Sequence, residues 1–294
     1  MTTGALIPPR NHRSLAAKVT RALLKAPWSA RIAVFIILVY LISAIFAPLI
    51  APYGQAEIVG KAYQPGGTHS QFLLGTDQIG RDIFSRLIFG ARNTISVALV
   101  TTFISFLVGI SLGVAAALYR GWTDQVLSRI VDALLAMPAL IFALMLLAIF
   151  GRGVVNLIAI LAMLDSTRVF RLSRAAALSV TVMDFVEAAR LRGEGATWIV
   201  FKEIIPNIAA PLLTEFGLRF SFVFLTISAL SFLGVGIQPP TADWGSMVAE
   251  SKSLIIYGNL APFYPAGAIV LLTVAVNFVV DWLLQSACGF HDEH

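Results

Sequence analysis

DFVEAARLRGEGATWIVFKEIIPN, residues Asp184 to Asn207, is the one long polar stretch in the second half of an otherwise apolar chain. Asp184 followed three residues later by Glu187 has the spacing of a capping box, which predicts a helix opening near Phe185 and running to Arg192. Gly193 and Gly195 then break it, as glycines do where a positive φ is needed. A second short helix carries Trp198, Ile199 and Phe201, and Pro206 is expected to stop it. The result is a charged helix-turn-helix set between greasy segments. Such a segment belongs outside a bilayer, where it can touch a partner.

The surroundings fit that placement. The chain has 294 residues, 58% hydrophobic and 13% charged; soluble domains carry about 25% charged residues, so this is an integral membrane protein. Apolar runs of about 20 residues cross a bilayer. Six are legible, at roughly 32–50, 94–119, 130–150 (interrupted at Met137-Pro138), 154–169, 209–235 and 266–287. Before them, residues 13 to 27 place Leu15, Val19, Ala22, Leu23 and Ala26 on one helical face and Lys18, Arg21 and Lys25 on the other. That is a basic amphipathic helix suited to the interface. A cleaved signal peptide is the alternative, but the run after Arg31 is long and lacks a persuasive small-residue cleavage site. Residues 1–31 therefore read as a cytoplasmic tail with an interfacial helix, and 32–294 as the transmembrane unit.

Lys and Arg set the orientation. With the N-terminus in the cytoplasm, the inner segments hold 14 of the 21 basic residues and the outer ones 6, with Arg219 inside the fifth span. Both termini are then cytoplasmic, and so is the Asp184–Asn207 stretch. Membrane topology accounts for the excess of positive charge without nucleic acid. The single cysteine, Cys288, makes no internal disulfide and reads as a small packing residue. His12, His69, His291 and His294 are scattered in ends and loops, with no metal-ligand spacing.

Glu187-Ala188-Ala189, then Gly193, then Ile205-Pro206, resembles the EAA loop of ABC importer permeases. That pattern is EAA, three residues, G, nine residues, I-x-L-P; here Glu203 stands in place of its Ile and Ile205 in place of its Leu. LGTDQIGRD (Leu74 to Asp82) and SFLGVGIQPPTADWG (Ser231 to Gly245) resemble the peptide/nickel branch of the same family. The matching segments span roughly residues 70 to 285. The resemblance implies a type I importer permease, all-α, in the inner membrane. It implies a second permease subunit, two cytoplasmic ATPases and an extracytoplasmic solute-binding protein as partners, with ATP used by the ATPases and no cofactor in this chain. Glu187, Ala188, Ala189, Gly193 and Pro206 are then the ATPase-coupling residues.

The residues themselves favour the same reading. The chain has no G-x-x-x-x-G-K-[ST] phosphate cradle, no G-x-S-x-G or S-x-x-K set, and no His partner evident for its cysteine. Energy must enter through a protein contact. Ala188 and Ala189 are small enough for close approach, while Glu187 and Arg190 offer charges; the plain alternative is a loop in which Glu187 only caps its own helix. Asp165, Arg168 and Arg219 are ionisable residues within spans, where charges face a cavity or a partner. Asp165 and Arg168, one turn apart, can instead pair with each other. The Ser231–Gly245 stretch reads as an outer loop dipping back or as a plain exit turn. Asp77, Arg81 and Asp82 either dock a binding protein or knit their own loop together. A secondary transporter would show broken helices in related halves or ionisable groups in several spans. A membrane enzyme would need a nucleophile or metal set.

Overall fold

The computed structural model describes residues 26–67 and 71–289, with side chains as far as residue 285. The expected interfacial helix falls outside them except for Ala26 and Pro27, as do His12, His69, His291, His294 and the packing of Cys288. The described residues are helical: α1 (Trp28–Ile45), α2 (Ala47–Ile50), α3 (Ile83–Tyr119), α4 (Gly121–Leu135), α5 (Ala139–Phe150), α6 (Val154–Thr181), α7 (Asp184–Leu191), α8 (Ala196–Ile199), a π-helical turn at Val200–Ile204, α9 (Ile205–Phe232), α10 (Trp244–Ser251), a 3₁₀ segment at Lys252–Tyr257 and α11 (Phe263–Gly289). Two isolated β-bridges, Ile58 with Arg81 and Thr76 with Asp82, pin the loop before α3.

Four helices are long and apolar enough to cross a membrane: α1, α3, the continuous run from Ala196 to Phe232, and α11. The third expected span is broken where Met137-Pro138 interrupts its apolar run, and its first helix starts earlier than expected, at Gly121. It is two helices, α4 and α5, meeting at 90° at Ala136–Pro138. Pro138 cannot continue the hydrogen-bond ladder of α4, so it caps α5 instead. The fourth span is longer than its apolar run suggests. α6 has 28 residues, about 42 Å at 1.5 Å per residue, and Asp165, Arg168 and Arg171 interrupt its hydropathy. The second span begins at Ile83 rather than Thr94, because Asp82 accepts hydrogen bonds from Ser85 N (2.8 Å) and Ser85 Oγ (2.6 Å) and so caps α3 early.

α3 and α6 pack closest. A Cβ on Gly109 would lie 2.6 Å from Val169 Cβ, and one on Gly113 would lie 2.0 Å from Ser173 Oγ. Two glycines four residues apart thus form the small-xxx-small groove that lets backbones meet in a membrane. Ser173, fully buried, donates to Gly109 O at 3.0 Å. α1 lies outermost, against α11 and α3, and leaves Phe35, Leu38, Ile42 and Ile45 exposed for lipid or a neighbouring subunit.

The outer end folds back on itself. Gly234 takes φ +79°, and Val235 N donates to Leu230 O, closing α9 with a Schellman turn. The chain then re-enters: Asp243 caps α10 by accepting from Ser246 N (2.9 Å), and Thr94 Oγ1 donates to it (2.8 Å). Trp244 is completely buried, edge-on to Tyr40 and Phe224, with its Nε1 donating to Leu87 O. Gly90 makes room for that indole.

The LGTDQIGRD loop is knitted to this unit rather than left free. Asp77 accepts from Ile79 N, Arg81 N and Arg81 Nε and contacts Arg86 Nη1. Glu250 of α10 closes the cluster with Arg81 Nη2 (3.1 Å) and Arg86 Nη1 (2.7 Å). Burial pushes the Asp77 carboxyl up, but the donated N–H groups and the two guanidinium groups outweigh it and hold its pKa below the ordinary value. A carboxylate with a lowered folded pKa stabilises above the ordinary carboxylate range, and the contribution is lost as pH falls through the lowered value. The outer loop should therefore resist proteolysis unchanged at pH 5. Glu250→Ala leaves two buried guanidiniums on one carboxylate and should cost about 3 kcal/mol. Thermal unfolding and limited proteolysis in detergent check both; an unchanged midpoint would show that the loop is held by something else.

Candidate functional site: the charged helix-turn-helix and the mid-helix ion cluster

α7 is an amphipathic helix seated on its own subunit. Val186 and Ala189 are fully buried, packed with Ala177 and Val180 of α6 and with Ile199, Ile204 and Ile208 across the turn. Glu187, Ala188, Arg190 and Leu191 face outward, with Phe185 partly so. Ala189 is thus corrected from an exposed contact to an internal one, where its smallness lets α7 lie close to the bundle. Ala188 keeps the outward position.

The capping box does not form. Met183 is the N-cap, and no side chain caps the helix. Asp184 and Glu187 lie in the first turn, where negative charge still complements the helix dipole. Glu187 is therefore free of the capping duty that the sequence spacing suggests.

Gly193 ends the helix as anticipated. It takes φ +84°, with Gly193 N donating to Arg190 O (2.9 Å) and Glu194 N to Ala189 O (3.2 Å), a Schellman pair. Gly195 is extended, at φ −73°, and needs no glycine on conformational grounds. Arg192 lies over the Trp198 ring at 5.9 Å and ties the two arms of the turn together.

Pro206 does not stop the second helix. α8, the π turn and α9 form one helical run from Ala196 to Phe232, with Pro206 exposed at the start of α9. A proline lacks the N–H that the i−4 carbonyl expects, and the wide π turn ahead of it is where the ladder changes register. Asn207 Nδ2 donates to Glu203 O at 2.6 Å and satisfies one of the carbonyls there. The fifth span is consequently continuous with the helix that follows the Gly193 turn.

The intramembrane candidates come together. Arg219 Nη1 and Arg168 Nη1 each lie 3.7 Å from Asp165 Oδ1, and Ser105 Oγ donates to Asp165 Oδ2 at 3.3 Å. Arg219 Nε is 2.7 Å from Glu215 Oε1, an ion contact without hydrogen-bond alignment, and its guanidinium lies 4.7 Å from the Phe222 ring centre. Two cations and two anions from α6 and α9 thus meet beside α3. Asp165 and Arg168 do not sit at the inner end of the fourth span as their place in the apolar run suggests; α6 continues to Thr181 and places them near its middle. Asp281 stands apart, exposed on α11. Glu215 was recoverable from the sequence as the i−4 partner of Arg219. Ser105, far away in the chain, carried no such signal.

Below this cluster, Arg174 pairs with Asp124 (Nη2 to Oδ2, 2.6 Å) and Arg171 with Asp132 (2.7 Å), binding α4 across the inner half of α6.

Residues 105–286 match the family described as the binding-protein-dependent transport system inner membrane component. The chain is 37% identical over 246 residues to a di/tripeptide transport system permease protein of Pseudomonas aeruginosa, covering 82% of this chain and 81% of that protein. It is 31% identical to a glutathione transport system permease protein of Pectobacterium atrosepticum (84% and 82% covered) and 32% identical to a dipeptide transport system permease protein of Alkalihalophilus pseudofirmus (86% and 83%). The fold, the charged turn between α6 and α9 and these matches agree: the chain belongs to the binding-protein-dependent transport system inner membrane components and is a multi-pass permease subunit of an ATP-driven importer.

Proposed function

We propose that this subunit forms half of a pathway for short peptides, that six spans carry it with both termini in the cytoplasm, and that α7 is the contact through which ATP hydrolysis moves it. One observation carries the reading. α7 is held from behind by Val186 and Ala189, presents Glu187, Ala188 and Leu191 outward, and joins α6 on one side and the continuous α8–α9 helix on the other. A partner that displaces α7 moves both helices. Gly193 sets the angle, and Pro206 with its π turn marks the register of the following span. The peptide assignment draws on the di/tripeptide, dipeptide and glutathione permeases that the chain resembles. The partners are a second permease, two ATPases and an extracytoplasmic binding protein; residues 1–31 form the tail and 32–294 the permease unit. The chain acts as a transport permease and has no phosphate-cradling loop, so ATP hydrolysis is assigned to the partner subunits.

The Asp165–Arg219 cluster at mid-helix is of the kind an ion-gradient carrier also uses, but the family to which the chain belongs sets that alternative aside, and energisation tests it directly. Uptake that persists after the proton and sodium gradients collapse, and stops on ATP depletion, excludes it.

Glu187→Ala should leave the subunit inserted and stable, because Glu187 caps nothing, yet weaken ATPase capture and solute-stimulated hydrolysis. Gly193→Val forces a branched residue to φ +84°, a cost of about 1–2 kcal/mol or more. It should uncouple similarly, and Gly193→Asn, which tolerates that conformation, should restore most of the function. The measurements are pull-down of the ATPases and hydrolysis in liposomes. Full docking and stimulation in both Glu187→Ala and Gly193→Val would remove α7 from the coupling role.

For the topology, single cysteines at Leu191 and Ile256, both strongly exposed, in a Cys288→Ala chain discriminate the two faces. An impermeant reagent applied to spheroplasts should label position 256 and spare 191. The reverse pattern would invert the orientation.

A further inference from the structure

Resting on the importer reading above, we infer that the cleft beside Arg168, between α6 and α9, binds a carboxylate of the transported solute, and that Arg168 is its specificity-determining cation. Arg168 is the fifteenth of the 28 residues of α6, so it lies about 20 Å from either end of that helix. Its side chain is nonetheless 45% exposed, whereas Asp165 and Arg219 are nearly covered. A half-exposed guanidinium on a helix of the membrane bundle faces water, a cavity or a partner rather than lipid.

The exposed stripe of α6 supports the choice of water. It runs through Val155, Ala159, Met163, Arg168, Arg171, Ala175 and Ser179, small or polar at five of the seven positions. The exposed face of α1 carries Phe35, Leu38, Ile42 and Ile45 instead, as a lipid-facing surface does. The cleft itself is closed on the far side by Phe222, Val223 and Thr226 of α9.

The charges are unevenly satisfied. Arg219 has Glu215 at 2.7 Å, Phe222 beneath it and Asp165 at 3.7 Å. Arg168 has Asp165 alone among the described residues, at 3.7 Å, beyond hydrogen-bond range. Asp165 orients it as an i,i+3 neighbour without occupying its donors. The planar fork of N–H groups that remains matches a carboxylate in two-point contact. Every peptide with a free C-terminus presents that group, so one cation at this level serves many sequences.

The test places a reporter opposite Arg168. Thr226→Cys is made in a Cys288→Ala chain, and the assembled transporter in membranes is treated with an anionic and a cationic thiosulfonate of equal size. An anion-attracting aqueous cleft should favour the anionic reagent, and Arg168→Gln should lower the anionic-to-cationic rate ratio by about tenfold, the scale on which a charged cleft concentrates counter-ions. Arg168→Lys, which keeps the charge, should retain most of it. Dialanine should slow the anionic reaction, and dialanine amide should not. Failure of either reagent to modify Cys at 226, a ratio indifferent to Arg168→Gln, no protection by dialanine, or equal protection by the amide would each overturn the assignment; the first is what a permanent contact with the sister permease would give. Binding-protein-stimulated ATP hydrolysis by the unsubstituted transporter tests the importer reading separately.

Discussion

The approach of α3 to α6 is the contact on which the rest depends. Gly109 and Gly113 bring the two backbones so close that Ser173 can donate to a carbonyl of the opposite helix. In a bilayer, where lipid is as apolar as leucine, such close packing replaces the hydrophobic drive that assembles soluble bundles. It also shelters polar groups. α6 can carry Asp165, Arg171 and Arg174 because α3, α9 and α4 supply Ser105, Arg219, Asp132 and Asp124 against it. A helix of that composition facing lipid would be costly at every one of these positions.

The same helix links both ends of the subunit. Just before its first residue Arg152 reaches Gly234 O of the folded-back Ser231–Gly245 segment, its middle holds the ion cluster, and α7 follows its last turn after Thr181. α9 runs alongside, and the unbroken helix from Ala196 means that no loop absorbs a displacement of the turn. Rigid elements meeting at a charged cluster midway along α6 offer few arrangements rather than a continuum. The packing therefore favours a discrete change of α6 relative to α9 over gradual deformation.

Much of this was legible in the sequence. Apolar run length located α1, α3, α9 and α11, and Gly193 announced its turn correctly because left-handed backbone strongly favours glycine. The errors have physical causes. Asp184 and Glu187 have capping-box spacing, but the helix starts one residue early at an uncapped Met183, so side-chain spacing alone could not fix the boundary. Pro206 looked like a stop, yet a π turn accommodates it. Pro138 looked like an interruption and instead turns the chain by 90°. The charged residues of α6 hid the length of that helix, since their partners sit 39 to 60 residues away in the chain.

The two ion clusters show what sequence pattern cannot separate. Asp77, Arg81, Arg86 and Glu250 form a closed set in which each buried cation faces two carboxylates, and the result is a clasp between a loop and α10. Asp165, Arg168, Glu215 and Arg219 have the same charge sum and the same residue types, but one cation is left half-open to the exterior. Composition is identical in kind; only geometry distinguishes a structural lock from a group with donors to spare. An arginine whose partners surround it stabilises the fold and can do little else. One that is held on one side and open on the other, on a helix of the membrane bundle, keeps that exposure where the open side meets water or charge. That asymmetry, rather than the presence of charges within spans, directs attention to Arg168 instead of the better-buried Arg219 as the group most able to meet a passing solute.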